Sequence, residues 1–391
     1  MKDVVILSAV RTPIGGFLGA FKDISAPQLA AHCVRTSVER SGIEPAIIDE
    51  CILGCVLSAG LGQAPARQAA LFGGLPNSVR CTTINRVCGS GLKSVMLASQ
   101  AIQCGDADMI VAGGMENMSR TPFLLERARE GYRMGHGQIV DSMIHDGLWE
   151  VYRNYHMGHA AELCAREKKI DRVAQDQFAA SSYQRALESI KTGKFRNEIV
   201  GVEIAVRKEK KIIDTDEEPF KAKLDRMGEL KPVFDKAGTV TAANASSLSD
   251  GASCLVVASQ ATCEKRGLKP IARLIGQATF AQEPEWFTTA PVGCIRKLVE
   301  KTGIALSQVD LFEINEAFSV VALACMKELG LREDRLNIRG GAVALGHPIG
   351  ASGARILTTL IHALRAENKR YGIASICNGG GEASAVLVEA L

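Results

Sequence analysis

The sequence predicts an α/β protein made of two related halves with a long insertion between them. Short apolar, β-rich runs alternate with longer stretches of helical period, a helix–strand unit recurs late in the chain, and residues 119–247 break both patterns. Alternation of this kind is expected of sheets covered by helices.

The first strand is expected over residues 4–8, an aliphatic run that Arg11 interrupts before any small-residue cleavage site, so neither a signal nor a transit peptide is expected. A helix near 27–40, a strand near 52–56 and a helix near 64–71 follow. Gly89-Ser90-Gly91 then opens a helix with apolar Leu92, Val95, Met96 and Ile102, which stops at Gly105 and leads into a strand over 109–112 and Gly113-Gly114. The same order returns from Ala351-Ser352-Gly353: a helix with Ile356, Leu357, Leu360, Ile361 and Leu364, a strand over 373–377, and Gly379-Gly380-Gly381. Two halves of related architecture are implied, with chance likeness of two helix–strand units as the alternative. Between them, residues 131–137 are glycine-rich and 207–211 almost wholly charged, which reads as an inserted, loop-rich region. Its basic residues Arg207, Lys208, Lys210, Lys211, Lys221, Lys223 and Arg226 either meet phosphate groups or form a solvated face.

A chain of 391 residues suits two or three compact units. Hydrophobic residues at 47% supply enough apolar surface to outweigh chain entropy. A net charge of +3 is too balanced to announce a nucleic-acid partner, but leaves room for a small anionic ligand. No apolar run approaches the roughly 20 residues that span a bilayer, so no membrane partner is expected. The 12 cysteines include no C-x-x-C pair and no Cys/His cluster at zinc spacing, which points to reduced thiols, no metal and a cytoplasmic site.

Four motifs carry chemistry. In Asn85-Arg86-Val87-Cys88-Gly89-Ser90-Gly91 a cysteine precedes a helix, where free N–H groups and the dipole favour thiolate and can hold an oxyanion. Cys88 is thus a candidate nucleophile, or else a small buried packing residue. The run Gly340-Gly341-Ala342-Val343-Ala344-Leu345-Gly346-His347-Pro348-Ile349-Gly350 sets a histidine among glycines, where an imidazole titrating near neutrality can move a proton; a structural turn residue is the alternative. Cys377-Asn378-Gly379-Gly380-Gly381 closes an apolar run, at the carboxyl end of a strand where open sheets place ligands. Here a thiol can act as acid or base, or be incidental to a glycine turn. In Asn315-Glu316-Ala317-Phe318, Asn315 is either the N-cap of the following helix or an amide that fixes a water beside a reacting carbonyl.

Jointly and in this order, the four motifs resemble those of the thiolase family. The resemblance extends to Arg11-Thr12-Pro13-Ile14-Gly15, to Gly113-Gly114-Met115-Glu116-Asn117-Met118-Ser119, and to the run from Asn244 through Ser249-Asp250-Gly251-Ala252. It implies a layered α-β-α-β-α fold, with residues 1–118 and 248–268 as one half, 119–247 as an inserted CoA-binding loop domain, and 269–391 as the other half. It also implies reversible condensation of two acetyl-CoA to acetoacetyl-CoA and CoA. Cys88 would be the acylated nucleophile and His347 its base, which also lines the hole for the thioester oxygen. Asn315 would hold a water in that hole, Cys377 would move the proton at the acceptor's α-carbon, and the N–H groups of Cys88 and Gly379 would form a second oxyanion hole. Leu148, His156, Met157 and Phe234 would surround the thioester and pantetheine, and Ser246 would contact the pantetheine arm.

CoA thioesters would be substrates and products, with no permanently bound cofactor, and the family's habit implies a homodimer or homotetramer. The run Tyr155-His156-Met157-Gly158 resembles short-chain members more than long-chain ones. Arg339 departs from a frequent Asn and Asn378 from a frequent Ile, while Glu285-Trp286-Phe287-Thr288 falls in a loop that lines the acyl pocket in the family. A degradative 3-ketoacyl-CoA thiolase, an acyl-carrier-dependent condensing enzyme and a non-catalytic CoA- or lipid-binding protein are the competing readings. A reversible dithiol between Cys88 and Cys377 is a side expectation.

Overall fold

The structure, a computed structural model, describes residues 2–206 and 209–391. Its strands in chain order are β1 (Val4–Arg11), β2 (Glu50–Gly54), β3 (Arg80–Ile84), β4 (Met109–Asn117), β5 (Val202–Val206), β6 (Glu209–Ile213), β7 (Ser249–Ser259), β8 (Ala272–Ala281), β9 (Leu311–Ile314), β10 (Tyr371–Asn378) and β11 (Glu382–Ala390). The helices that position the site are α1 (Ala26–Ser41), α2 (Pro65–Phe72), α3 (Ser90–Cys104), α4 (Met157–Lys168), α5 (Arg172–Lys191), α6 (Ala290–Thr302), α7 (Ser319–Leu329) and α8 (Ile349–Ala366).

The strands of the main sheet run in the order β9-β10-β11-β8-β1-β7-β4-β2-β3. Read outward from its middle, the order has a pattern. β1 pairs antiparallel with β7, β7 antiparallel with β4, and β4 parallel with β2. On the other side β8 pairs antiparallel with β11, β11 antiparallel with β10, and β10 parallel with β9. The repeat seen in the sequence is therefore a repeat of sheet topology. Only two residue pairs, Val5 with Arg273 and Ile6 with Ala272, join the halves through β1 and β8.

Each half buries both faces, so its strands are almost wholly apolar rather than alternating. On one outer face Leu29, Val34 and Val38 of α1 pack on Val10, Leu53, Val111 and Val256. The intervening residues Ile110 and Leu255 point the other way, as strand period requires, and meet Leu92, Val95 and Ile102 of α3. That same cluster takes in Ile356, Leu357 and Leu360 of α8, and beyond them Ile376, Val386 and Val388 of the second half. On the far side Val292, Ile295 and Leu298 of α6 cover Ile373, Ala385 and Leu387. The layers are helix, sheet, helix, sheet, helix, as the resemblance implied, with α3 and α8 sandwiched at the centre.

The chain between β4 and β7 differs from expectation. It was read as loop-rich, yet it holds α4 and α5, of 12 and 20 residues. The buried positions of α5 keep helical spacing but are filled by Gln175, Ala179, Ser182, Ala186 and Ser189 among others, so the hydropathy signal is faint. This segment docks on β1 through Arg11, fully buried, whose guanidinium meets Glu198 at 2.6 Å and Asp216 at 2.7 and 3.0 Å. Arg339 joins the same cluster, donating to the Lys194 and His362 carbonyls at 2.9 and 3.0 Å and lying 3.5 Å from Glu198. No helix among the described residues is long and apolar enough to cross a membrane.

Candidate active site

The two central helices touch backbone to backbone at their first turns. A Cβ added at Gly91 would lie 2.9 Å from the Ala354 nitrogen, and one at Gly353 would lie 2.4 Å from the Leu92 nitrogen. That contact brings together the turns that precede the helices, and those turns carry Cys88 and His347. The Cys88 turn is held in an uncommon conformation, Val87 having φ 47°. Ser90 Oγ pins it by accepting from the Arg86 N–H at 2.8 Å and donating to the Val87 carbonyl at 2.7 Å.

β10 enters the same place from the other half, ending in Cys377 and Asn378. Gly380 and Gly381 carry φ of 88° and 80° in the turn that follows, which only glycine adopts without strain. Arg86 bonds Glu382 at 2.9 Å, and Asn378 Nδ2 donates to the same carboxylate at 3.2 Å, tying β10 and β11 to the Cys88 turn. The backbone N–H groups of Cys88 and Gly379 both converge on the Cys88 sulfur.

The imidazole of His347 is gripped at both nitrogens. Nδ1 lies 2.6 Å from Ser352 Oγ, and Nε2 lies 3.4 Å from Asn315 Nδ2. Ser352 gives its own proton to the Pro348 carbonyl at 2.9 Å. Nδ1 must therefore carry the hydrogen, which leaves the Nε2 lone pair to accept one. Asn315 is not an N-cap: α7 starts at Ser319 with Phe318 as its cap, while the Asn315 N–H extends the ladder to the Ser375 carbonyl at 3.0 Å. Its side chain is buried, and Oδ1 has no partner among the described residues.

Two electrostatic expectations are overturned. Helix-end N–H groups were expected to favour thiolate at Cys88, but burial outweighs them and pushes the thiol up to about 12. His347 was expected to titrate near neutrality, but burial and then the positive charge of Arg355 push it down to about 3. Between those limits the resting pair is a neutral thiol beside a neutral imidazole. The Cys377 thiol is pushed well above the ordinary range, first by burial and then by the nearby Cys88 thiol.

Cys88, His347 and Gly379 line a cavity of about 320 Å³. Leu148, His156, Met157, Phe234 and Ser246 line it as well. His156 stacks on Phe234 with ring centroids 4.8 Å apart, and Gly158 makes room for that ring, since a Cβ there would lie 2.3 Å from it. Ser246 Oγ donates to the Ala317 carbonyl at 2.9 Å. Cys377 and Asn315 are buried beside it, Cys377 packing with Phe287, Phe318 and Met157, which themselves face the cavity.

Two supports carried no expected role. Ser352 was read only as a helix opener, although its place five residues after His347 at a helix start was available as a signal. Glu116 accepts the Val56, Leu57 and Gly350 N–H groups at 3.0, 3.2 and 3.0 Å, and burial pushes its carboxyl up to about 7. It anchors the first turn of α8, and a lone acid between Met115 and Asn117 in an apolar strand was its mark. Of the basic residues in the insertion, Arg207 and Lys208 lie outside the described residues. Lys210 pairs with Glu203 on the hairpin β5–β6, while Lys221, Lys223 and Arg226 line a second cavity of about 440 Å³. All 12 cysteines are unpaired, and no His, Cys, Asp and Glu cluster suited to a metal occurs among the described residues.

The chain belongs to the thiolase family: residues 4–261 match the thiolase N-terminal domain and residues 268–390 the thiolase C-terminal domain. Among its relatives, acetyl-CoA acetyltransferase 2 of Arabidopsis thaliana is 49% identical over 393 residues, covering 100% of this chain and 98% of that one. The acetyl-CoA acetyltransferase of Schizosaccharomyces pombe is also 49% identical, covering 99% and 98%. The crystal structure of the Bacillus anthracis acetyl-CoA acetyltransferase superposes with a TM-score of 0.98 at 40% identity, over 100% of this chain and 99% of that one. The Acat5 thiolase from Ascaris suum in complex with coenzyme A superposes with a TM-score of 0.95 at 43% identity, over the whole of both chains.

Proposed function

We propose that this protein is an acetyl-CoA acetyltransferase that reversibly condenses two acetyl-CoA to acetoacetyl-CoA and CoA through an acetyl-Cys88 intermediate. The observation that carries the reading is the meeting, in one cavity, of the Cys88 thiol, the acceptor nitrogen of His347 and the paired N–H groups of Cys88 and Gly379.

Cys88 attacks the thioester carbonyl of the first acetyl-CoA while its proton passes to His347 Nε2. The thiol is protonated at rest, so transfer accompanies attack. His347 and a water oriented by Asn315 stabilise the oxygen of that intermediate, and CoA leaves with the proton of Cys377. The Cys377 thiolate so formed removes a proton from the methyl group of the second acetyl-CoA. The carbanion attacks acetyl-Cys88, the oxyanion of the resulting tetrahedral intermediate is held by the Cys88 and Gly379 N–H groups, and collapse releases acetoacetyl-CoA while Cys88 takes back the proton held on His347. Two thiols are needed because one must stay acylated while the other handles a carbon acid.

In this reading residues 119–247 form the CoA-binding insertion between an N-terminal half, 1–118 with 248–268, and a C-terminal half, 269–391. Leu148, His156, Met157, Phe234 and Ser246 hold the pantetheine arm. The protein works in the cytoplasm as a homodimer or homotetramer, which light scattering of the purified chain measures. Cleavage of acetoacetyl-CoA by free CoA tests the reaction, and mass spectrometry tests its intermediate: acetyl-CoA labels Cys88 in the native chain and not in Cys88→Ala. An adduct at the active site of that variant removes Cys88 from its role. A rate that rises as the 3-ketoacyl chain lengthens to six carbons or more would make the protein a degradative thiolase instead.

A further inference from the structure

Arg355 and Glu313 have no part in the mechanism above, yet they lie just behind the groups that hold His347. Both are 2% exposed, and their closest approach is 3.5 Å. On α8, Arg355 follows Ser352 by three residues and so shares its face. Glu313 precedes Asn315 by two along the β9 ladder and shares its face of the sheet. Ser352 and Asn315 are the partners of the two His347 nitrogens. The ion pair thus bridges the two elements that grip the imidazole.

Burying both charges is costly, and hydrogen bonds recover little of that cost: Arg355 Nε, Nη1 and Nη2 and Glu313 Oε2 have no hydrogen-bond partner among the described residues. Packing alone calls for no arginine at this point. We propose that Arg355 and Glu313 are positioning residues for the condensation, the pair locking α8 to β9 and so fixing the imidazole between Ser352 and Asn315. The inference rests on the acetyl-transfer reading of Cys88 and His347.

Other ionisable groups sit on the elements that pack about His347: Cys88 in the turn before α3, Glu116 through its hold on Gly350, Asp250 next to Ser249 in β7, Glu316 next to Asn315, and Glu313 itself, whose carboxyl burial pushes up to about 8. Of the charges, Arg355 is the one that holds His347 down, second to burial.

The test compares Arg355→Gln, Arg355→Lys, Glu313→Gln and the neutral pair R355Q/E313Q with the native chain in acetoacetyl-CoA cleavage across pH. Removing the guanidinium should lower kcat about 10- to 100-fold, with KM for CoA changed by less than about twofold, because the imidazole and not the CoA pocket is disturbed. The acid limb of kcat should move to higher pH by about half a unit or more in Arg355→Gln and in the neutral pair. Arg355→Lys should restore the native limb, and Glu313→Gln should lower kcat without moving the limb to higher pH. Should Arg355→Gln fail to fold because it strands the Glu313 charge, the neutral pair decides. A folded variant without the guanidinium whose limb superimposes on the native one overturns the proposal and leaves Arg355 a purely structural role. Failure of the parent reading is seen separately, as a native chain that gains no acetyl group on Cys88.

Discussion

At Cys88 two opposed forces act on one sulfur. The N–H groups of Cys88 and Gly379 stabilise a thiolate, while the surrounding apolar layers disfavour any charge, and burial wins, giving a value of about 12. His347, at about 3, is equally reluctant to be charged. Neither partner is charged at rest, so in the proposed reaction the proton would move only as substrate charge develops within reach of both. In the absence of acyl-CoA, alkylation of Cys88 by iodoacetamide should therefore be slow at neutral pH and keep rising through the alkaline range, since alkylation follows the thiolate. A plateau reached below pH about 8 would mean that the thiolate is already the resting form. That Cys88 and His347 sit in glycine-flanked turns before helices could be read in the sequence, because small residues at such spacings mark tight turns. Their protonation could not, because it is set by neighbours such as Arg355 and by a depth of burial that only the assembled layers create.

Among the elements, the crossing of α3 and α8 decides the geometry of the site. Gly91 and Gly353 let the two first turns meet with no side chain between them, and the reactive turns ride on that contact. Replacing Gly353 by Ala sets a methyl 2.4 Å from the Leu92 nitrogen and 2.7 Å from its Cβ. The helices must part, at a cost of about 1–3 kcal/mol in urea unfolding. Activity should fall further than stability, because Cys88 and His347 separate together with the helices. Unchanged stability and kcat would show that the crossing is slack. Both helices could be read from their apolar spacing, and α3 also from its glycine stop, since Gly105 ends it with φ 87° as its position suggested. The helices of the insertion could not, because α5 buries small and polar side chains against its neighbours.

Across the whole molecule, β1 is the seam. It pairs with β7 in its own half, touches β8 of the other, and through Arg11 fastens the long insertion. Arg11→Met would leave Asp216 buried without a counter-charge and Glu198 with only Arg339 at 3.5 Å, and should cost about 3–5 kcal/mol in urea unfolding. A loss below about 1 kcal/mol would show that water reaches the two carboxylates in the native state. The two-half architecture could be read from the recurring helix–strand unit. The mirrored strand order could not, because long-range pairing leaves no local trace.

The placing of that seam has a consequence for how the chain comes into being. β1 is made well before Ser253–Ser259, which completes its ladder and follows the whole insertion. Cys88 is likewise synthesised long before His347 and Gly379. Such distant pairings make folding slow and keep it waiting for late segments. A nascent chain therefore carries Cys88 as an ordinary thiol among many, and the setting in which it would take an acyl group exists only once the last strands have closed around it.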